Sequence, residues 1–107
     1  MQFNEIRKEL EGLVFDMLRI DSDNYFEAVI EKNELAKLTA RLERLFGSTV
    51  WPSDKRLSLQ VQEMIEEFGG IRPGQTLYFW NEGKDAVFAM LWPWQDGYHT
   101  TVKIGRK

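Results

Sequence analysis

His99 is the only histidine in the chain, and there is no cysteine. An imidazole titrates near neutral pH without help, so His99 is the natural place to look for acid–base chemistry. It falls in the run Tyr98 to Ile104. There Tyr98, Thr100, Val102 and Ile104 alternate with His99, Thr101 and Lys103. On the polar side of such a strand it reads as a surface histidine, and no carboxylate partner is expected beside it. One imidazole and no thiolate leave no expected zinc centre. Glu63, Glu66 and Glu67 are the next candidates. Glu63 and Glu67 form an i,i+4 pair that could hold a hard cation, but an ordinary solvated helix face explains them as well. Gly69-Gly70 and Pro73-Gly74 are not followed by the Gly-Lys-Ser/Thr of a phosphate cradle. Ser53 and Ser58 have no evident base. The chemistry-bearing residues therefore point away from an enzyme, and no cofactor or metal is expected. Catalysis would need a site assembled across two copies.

Aromatic residues are the stronger signal. Trp80, Trp92 and Trp94 lie close together in Leu77-Tyr78-Phe79-Trp80 and Val87-Phe88-Ala89-Met90-Leu91-Trp92-Pro93-Trp94. Successive side chains of a strand point to opposite faces. Neither alternate set here is polar, so both faces of this hairpin need a cover. A buried aromatic removes about 150–250 Å² from water, or roughly 4–6 kcal/mol gross at the usual coefficient. Core packing and a dimer seam are therefore favoured over free display. Trp80, Phe88, Met90 and Trp92 are placed in or near an interface with a second copy. Trp94, beside Pro93, is the best candidate for an exposed contact.

Several elements must position these residues. Phe3, Ile6, Leu10, Leu13, Met17 and Ile20 follow 3-4-3-4-3 spacing and predict a helix with Asn4 as N-cap. Asp21-Ser22-Asp23-Asn24 ends it, and Asn24 with Glu27 resembles a capping box. The series Tyr25, Phe26, Val29, Ile30, Leu35, Leu38, Leu42, Leu45 and Phe46 reads as a second helix over 25–46, closed by Gly47. A competing reading makes Tyr25–Glu31 a strand, with Asn33 capping a shorter helix. Beyond Gly47-Ser48 the pattern changes. Thr49–Trp51 and Arg56–Leu59 read as short strands and Val61–Phe68 as a short helix. Pro73-Gly74 forms the centre of a type II turn. Three strands follow: Thr76–Trp80, Asp85–Trp92 and Tyr98–Ile104. The expected fold is α+β, a single domain over residues 1–107. It has an N-terminal helical hairpin over 1–47 and, over 48–107, a small antiparallel sheet or barrel of four or five strands.

Thr49-Val50-Trp51, the polar turn with Lys55-Arg56, Leu57-Ser58-Leu59, a short helix, and Gly69-Gly70-Ile71-Arg72-Pro73-Gly74-Gln75 before Leu77-Tyr78-Phe79 occur in a suggestive order. Over residues 48–92 this resembles the AbrB/MazE-type swapped-hairpin module. The resemblance implies an intertwined dimeric barrel and, in many members, DNA binding. Lys55 and Arg56 match the basic first-turn position, and Arg72 matches the basic residue of the Pro-Gly turn. The chain departs from the pattern at Gln60, where a proline is expected, and in the acidic Glu63, Glu66 and Glu67. Those carboxylates would oppose phosphate contacts.

The chain has 107 residues, 29% of them charged, and a formal net charge of −3, which argues against a general polyanion-binding surface. No apolar run approaches the roughly 20 residues of a membrane span, and the polar start is unlike a secretory signal. Together these features predict a cytoplasmic, non-enzymatic binding or regulatory module. It is expected to act through protein contacts, as a homodimer, without a membrane. The alternative is an AbrB-like DNA-binding regulator or antitoxin using Lys55, Arg56 and Arg72.

Overall fold

The computed structural model describes residues 2–52, 56–82 and 85–107. Three helices and five strands follow in the order α1 (Phe3–Glu9), β1 (Met17–Asp21), β2 (Tyr25–Glu31), α2 (Lys32–Phe46), α3 (Leu59–Glu66), β3 (Thr76–Glu82), β4 (Asp85–Pro93) and β5 (His99–Arg106). All five strands join one antiparallel sheet in the order β1-β2-β5-β4-β3. The α+β class follows directly. The sheet takes strands from both sides of Gly47-Ser48.

The N-terminal helical hairpin is not formed, and the reason is local. Helix α1 has only seven residues, and Leu10 caps its C-terminus. Gly12 then takes φ +85°, which a helix cannot continue through. Phe3, Ile6 and Leu10 are buried as a helical stripe should be, whereas Met17 and Ile20 belong to β1 and are exposed. The 3-4 spacing thus spans two different elements. The segment expected to cap a second helix is instead the β1–β2 turn. There Ser22 N–H donates to the Tyr25 carbonyl at 2.9 Å, and Tyr25 N–H donates to Ser22 Oγ at 3.1 Å. Tyr25–Glu31 is a strand, as the competing reading had it. Its β-branched and aromatic residues pair on both sides, Val29 with Met17 and with Thr101. Helix α2 then starts at Lys32 with Glu31, not Asn33, at the N-cap position.

Strand alternation divides the core in two. One face carries Phe26, Ala28, Ile30, Tyr78, Val87, Ala89, Leu91, Val102 and Ile104 beneath α1 and α2. The opposite face carries Leu77, Ala86, Phe88 and Met90 beneath Met64 and Ile65 of α3, with Phe68, Ile71, Val50 and Trp51 closing the sides. Helices on both faces explain why neither alternate set in β4 is polar.

Two short strands expected from sequence do not form. Trp51 makes a single bridge to Leu77 at the outer side of β3. In place of a strand at 56–59, Ser58 caps α3, its Oγ accepting from Val61 N–H at 3.2 Å. Short helices and isolated bridges win here because the sheet already has its five strands from elsewhere. The Pro73-Gly74 turn is formed, with Gln75 N–H donating to the Arg72 carbonyl at 3.1 Å and Gly74 at φ +85°.

Helix α3 covers only the β3–β4 side of its face. The β5, β2 and β1 side is left to polar and aromatic side chains. The sheet's two edges also differ. The backbone of Val50 and Trp51 hydrogen-bonds to Leu77 and shields part of β3. Among the described residues nothing pairs with the outer edge of β1.

Candidate functional site

Three neighbouring strands end together on the half of the sheet that α3 leaves open. Glu31, the last residue of β2, lies directly opposite His99, the first residue of β5. Asp16 immediately precedes β1, and its N–H donates to the Val29 carbonyl at 2.8 Å. Strands lie about 4.8 Å apart, so Glu31 and His99 are side by side, and Asp16, just outside β1, brings its carboxylate to them. One ligand-capable atom from each lies within 4.8 Å of the others.

The turn between β4 and β5 fixes the imidazole. Asp96 accepts from Tyr98 N–H at 2.8 Å and His99 N–H at 3.0 Å through one carboxylate oxygen. Its other oxygen lies 2.6 Å from His99 Nδ1. Gly97 supplies the turn's positive φ of +69°. These three hydrogen bonds hold the Asp96 carboxyl far below the ordinary range, at about 2, with the imidazole contact the largest cause. Asp96 is therefore ionised and can only accept, so His99 Nδ1 carries a proton. That leaves Nε2 turned toward Asp16 Oδ2, 3.5 Å away.

Aromatic side chains wall the site. The Trp94 ring centre lies 4.8 Å from that of His99, and Trp94 Nε1 donates to Thr101 Oγ1 at 2.8 Å. Tyr98 packs edge-on against the imidazole at 5.1 Å, and its hydroxyl donates to Glu31 Oε2 at 2.8 Å. That hydrogen bond raises the Tyr98 pKa. The Arg19 guanidinium sits 5.9 Å from the centre of the Trp94 ring and bonds Glu27.

The His99 pKa is raised above its ordinary value, chiefly by the Asp96 hydrogen bond and further by the charges of Asp96, Asp16 and Glu31. A carboxylate favours the protonated ring, so removing one must lower the value. An imidazole proton NMR titration of the metal-free protein should therefore place His99 above 6.5, its unperturbed value. Asp96→Asn should bring the midpoint down. A midpoint unmoved by that change would mean that the Asp96 contact is not made in solution.

The residues singled out from sequence have scattered. Phe88 and Met90 are fully buried beneath α3 of the same chain. Trp92 is half-buried on that face, with Lys103 Nζ 3.4 Å from its ring centre. Trp80 and Trp94 are exposed, on β3 and at the β4–β5 turn. Arg56 and Arg72 are exposed near α3, where Trp51 Nε1 donates to the Arg72 carbonyl, and Lys55 lies outside the described residues. Glu63, Glu66 and Glu67 are exposed, and Glu67 pairs with Lys107. Sequence reasoning missed the partners of His99. Asp96-x-x-His99 across a Gly-containing turn was a legible signal. Asp16 and Glu31 are remote in sequence and left none.

Compared with known proteins, the chain matches no family model, no curated sequence and no solved structure.

Proposed function

We propose that this chain is a non-enzymatic binding module acting through protein contacts, and that its contact surface is the outer edge of β1, where a second copy docks. The observation that carries this reading is the exposure of every residue of β1 in a sheet whose other strands are largely covered. Leu18 is 59% exposed, Met17 49% and Ile20 44%, with Val14 exposed just before them. Pairing places Leu18 on the face of Ala28 and Met17 on the face of Val29, so apolar side chains flank the edge on both sides. Natural sheets usually protect such an edge with charged side chains, lysine above all, with proline, or with a bulge, and β1 has Arg19 and Asp21 as its charges. It carries neither lysine nor proline, although it has one register shift between Leu18 and Ile20.

A second copy suits this edge by charge as well as by shape. Arg19 and Asp21 flank Ile20, so antiparallel pairing centred on Ile20 brings Arg19 of each copy near the partner's Asp21, in competition with their own pairs to Glu27 and Arg7. That is the self-complementarity a two-fold interface needs.

Magnitudes set the expected strength. Fully burying a Leu, Ile or Met side chain stabilises by about 1.5–3 kcal/mol. Covering the exposed half of three of them in each copy gives roughly 5–9 kcal/mol gross, against an association cost of about 4–15 kcal/mol. The two ranges overlap, so ladder hydrogen bonds must supply the rest and the dimer is expected to be weak and concentration-dependent.

Sedimentation velocity between about 1 and 200 µM tests this. The expected result is a concentration-dependent shift from monomer to dimer that Leu18→Lys abolishes and Trp80→Lys leaves alone. A wild-type chain that stays monomeric throughout, or a dimer indifferent to Leu18→Lys, would overturn it.

A further inference from the structure

We propose that Asp16, Glu31 and His99 form a divalent-metal site of the kind that takes one imidazole and two carboxylates, with zinc as the ion to test. The inference stands apart from self-association through β1.

Asp96 occupies His99 Nδ1 at 2.6 Å, which directs the ring's remaining lone pair away from the turn. Nε2 then faces Asp16 Oδ2 at 3.5 Å. When the ring is neutral both atoms are acceptors and need a cation or a water between them; when it is protonated they form an ion pair. Ligands bound at about 2.1 Å to one tetrahedral ion lie roughly 3.4 Å from each other. The observed spacing of His99 and Asp16 is therefore already that of two ligands on one ion. Glu31 offers a carboxylate oxygen within 4.8 Å of both. Tyr98 holds Glu31 Oε2, which leaves Oε1 as its free oxygen.

Support behind the ligands is in place as well. A metal-binding histidine usually donates its other ring N–H to a carboxylate, which orients the ring and raises its basicity. Asp96 does this, and it is itself fixed by two backbone N–H groups. Three backing strands hold the ligands, and the solvent-facing side of Asp16 leaves a coordination position open. The donor set also selects. Calcium and magnesium prefer oxygen donors throughout, whereas one nitrogen and two carboxylate oxygens suit zinc and its first-row neighbours. The two carboxylates supply the charge that a divalent ion needs, and no other group of this kind is found among the described residues.

The test is zinc titration by calorimetry on tag-free protein at pH 7.5, with Trp94 emission as a second readout because its ring lies against His99. One zinc per chain is expected, with a dissociation constant below about 100 µM. Asp16→Asn and His99→Gln should each weaken binding at least tenfold, and Asp96→Asn should weaken it about tenfold by freeing the ring. Magnesium should not compete. Circular dichroism melts of the three variants establish that they are folded. Absence of saturable zinc binding in the folded wild type would overturn the proposal. So would wild-type zinc affinity in folded Asp16→Asn or His99→Gln. A dimer that fails to form leaves these readings unchanged, so the two proposals fail separately.

Discussion

Phe88→Ala is expected to destabilise the chain by about 3–5 kcal/mol. Phe88 has no solvent exposure and lies at the centre of the face beneath α3. Its ring packs against Phe68 at 4.6 Å between centres, and Phe68 stacks in turn on Tyr25 at 5.4 Å. The register explains the arrangement. Tyr25, Gly105 and Phe88 form one row across β2, β5 and β4. Gly105 is the gap in that row: a Cβ there would meet Phe88 Cζ at 2.7 Å and Tyr25 Cδ1 at 3.3 Å. The two rings can both close over Gly105 only because it has no side chain. A domain of this size has a total stability of roughly 5–15 kcal/mol, so the expected loss is a large share of it. Urea unfolding should show the midpoint falling with little change in slope. Gly105→Ala should cost about 1–3 kcal/mol by overpacking. The double variant Gly105→Ala/Phe88→Leu should cost less than the sum of its parts, because the smaller side chain makes room for the new methyl. Strict additivity would mean that the row does not exist in solution.

Gly69→Ala should have an effect of similar size through a different cause. Gly69 follows α3 with φ +105°, a backbone region that L side chains rarely adopt, and a Cβ there would lie 2.4 Å from Trp92 Cη2. Backbone strain and the ring clash act together, so a loss of about 2–4 kcal/mol is expected. Gly74→Ala separates the two terms. Gly74 also has a positive φ, of +85°, but a Cβ there meets nothing within 4 Å. It should therefore show the backbone cost alone, about 1–2 kcal/mol. Adding Trp92→Leu to Gly69→Ala should recover the difference. Equal losses at both glycines would show that Trp92 does not close over Gly69. The contact matters beyond stability, because Trp92 also receives Lys103, whose Nζ donates to the Phe68 carbonyl at 3.0 Å. One glycine thus lets the end of α3 settle onto the sheet.

The C-terminal strands were the most legible part of the fold. His99 to Ile104 alternates between the two sides of the sheet as the pattern requires, whereas Tyr98 precedes β5 and turns onto the His99 side rather than that of Thr100. Thr76 to Trp92 was readable as a doubly covered hairpin, although the sequence reading looked to a second copy for part of the cover that α3 supplies. The N-terminal third misled because heptad spacing does not identify one element. Phe3, Ile6 and Leu10 lie on a helix, while Met17 and Ile20 lie on an edge strand beyond Gly12. Gly12 was the local warning. For Tyr25–Glu31, the composition suited a strand and the periodicity suited a helix. Pairing with both β1 and β5 decided the matter, because the strand completes two ladders at once.

What the sequence determined by itself was the α+β class, the alternating C-terminal strands, the Pro73-Gly74 turn, and the fact that the aromatic hairpin must be covered on both faces. These follow from local backbone preferences and from side-chain alternation, which act over a few residues. Only the tertiary structure decided what covers the hairpin, which strand is left as a bare edge, and which residues meet His99. Glu31 reaches it through the β2–β5 register, and Asp16 through the strand order that sets the start of β1 beside the end of β2. No short-range pattern records such a meeting, because it exists only once β2 has paired with both of its neighbours.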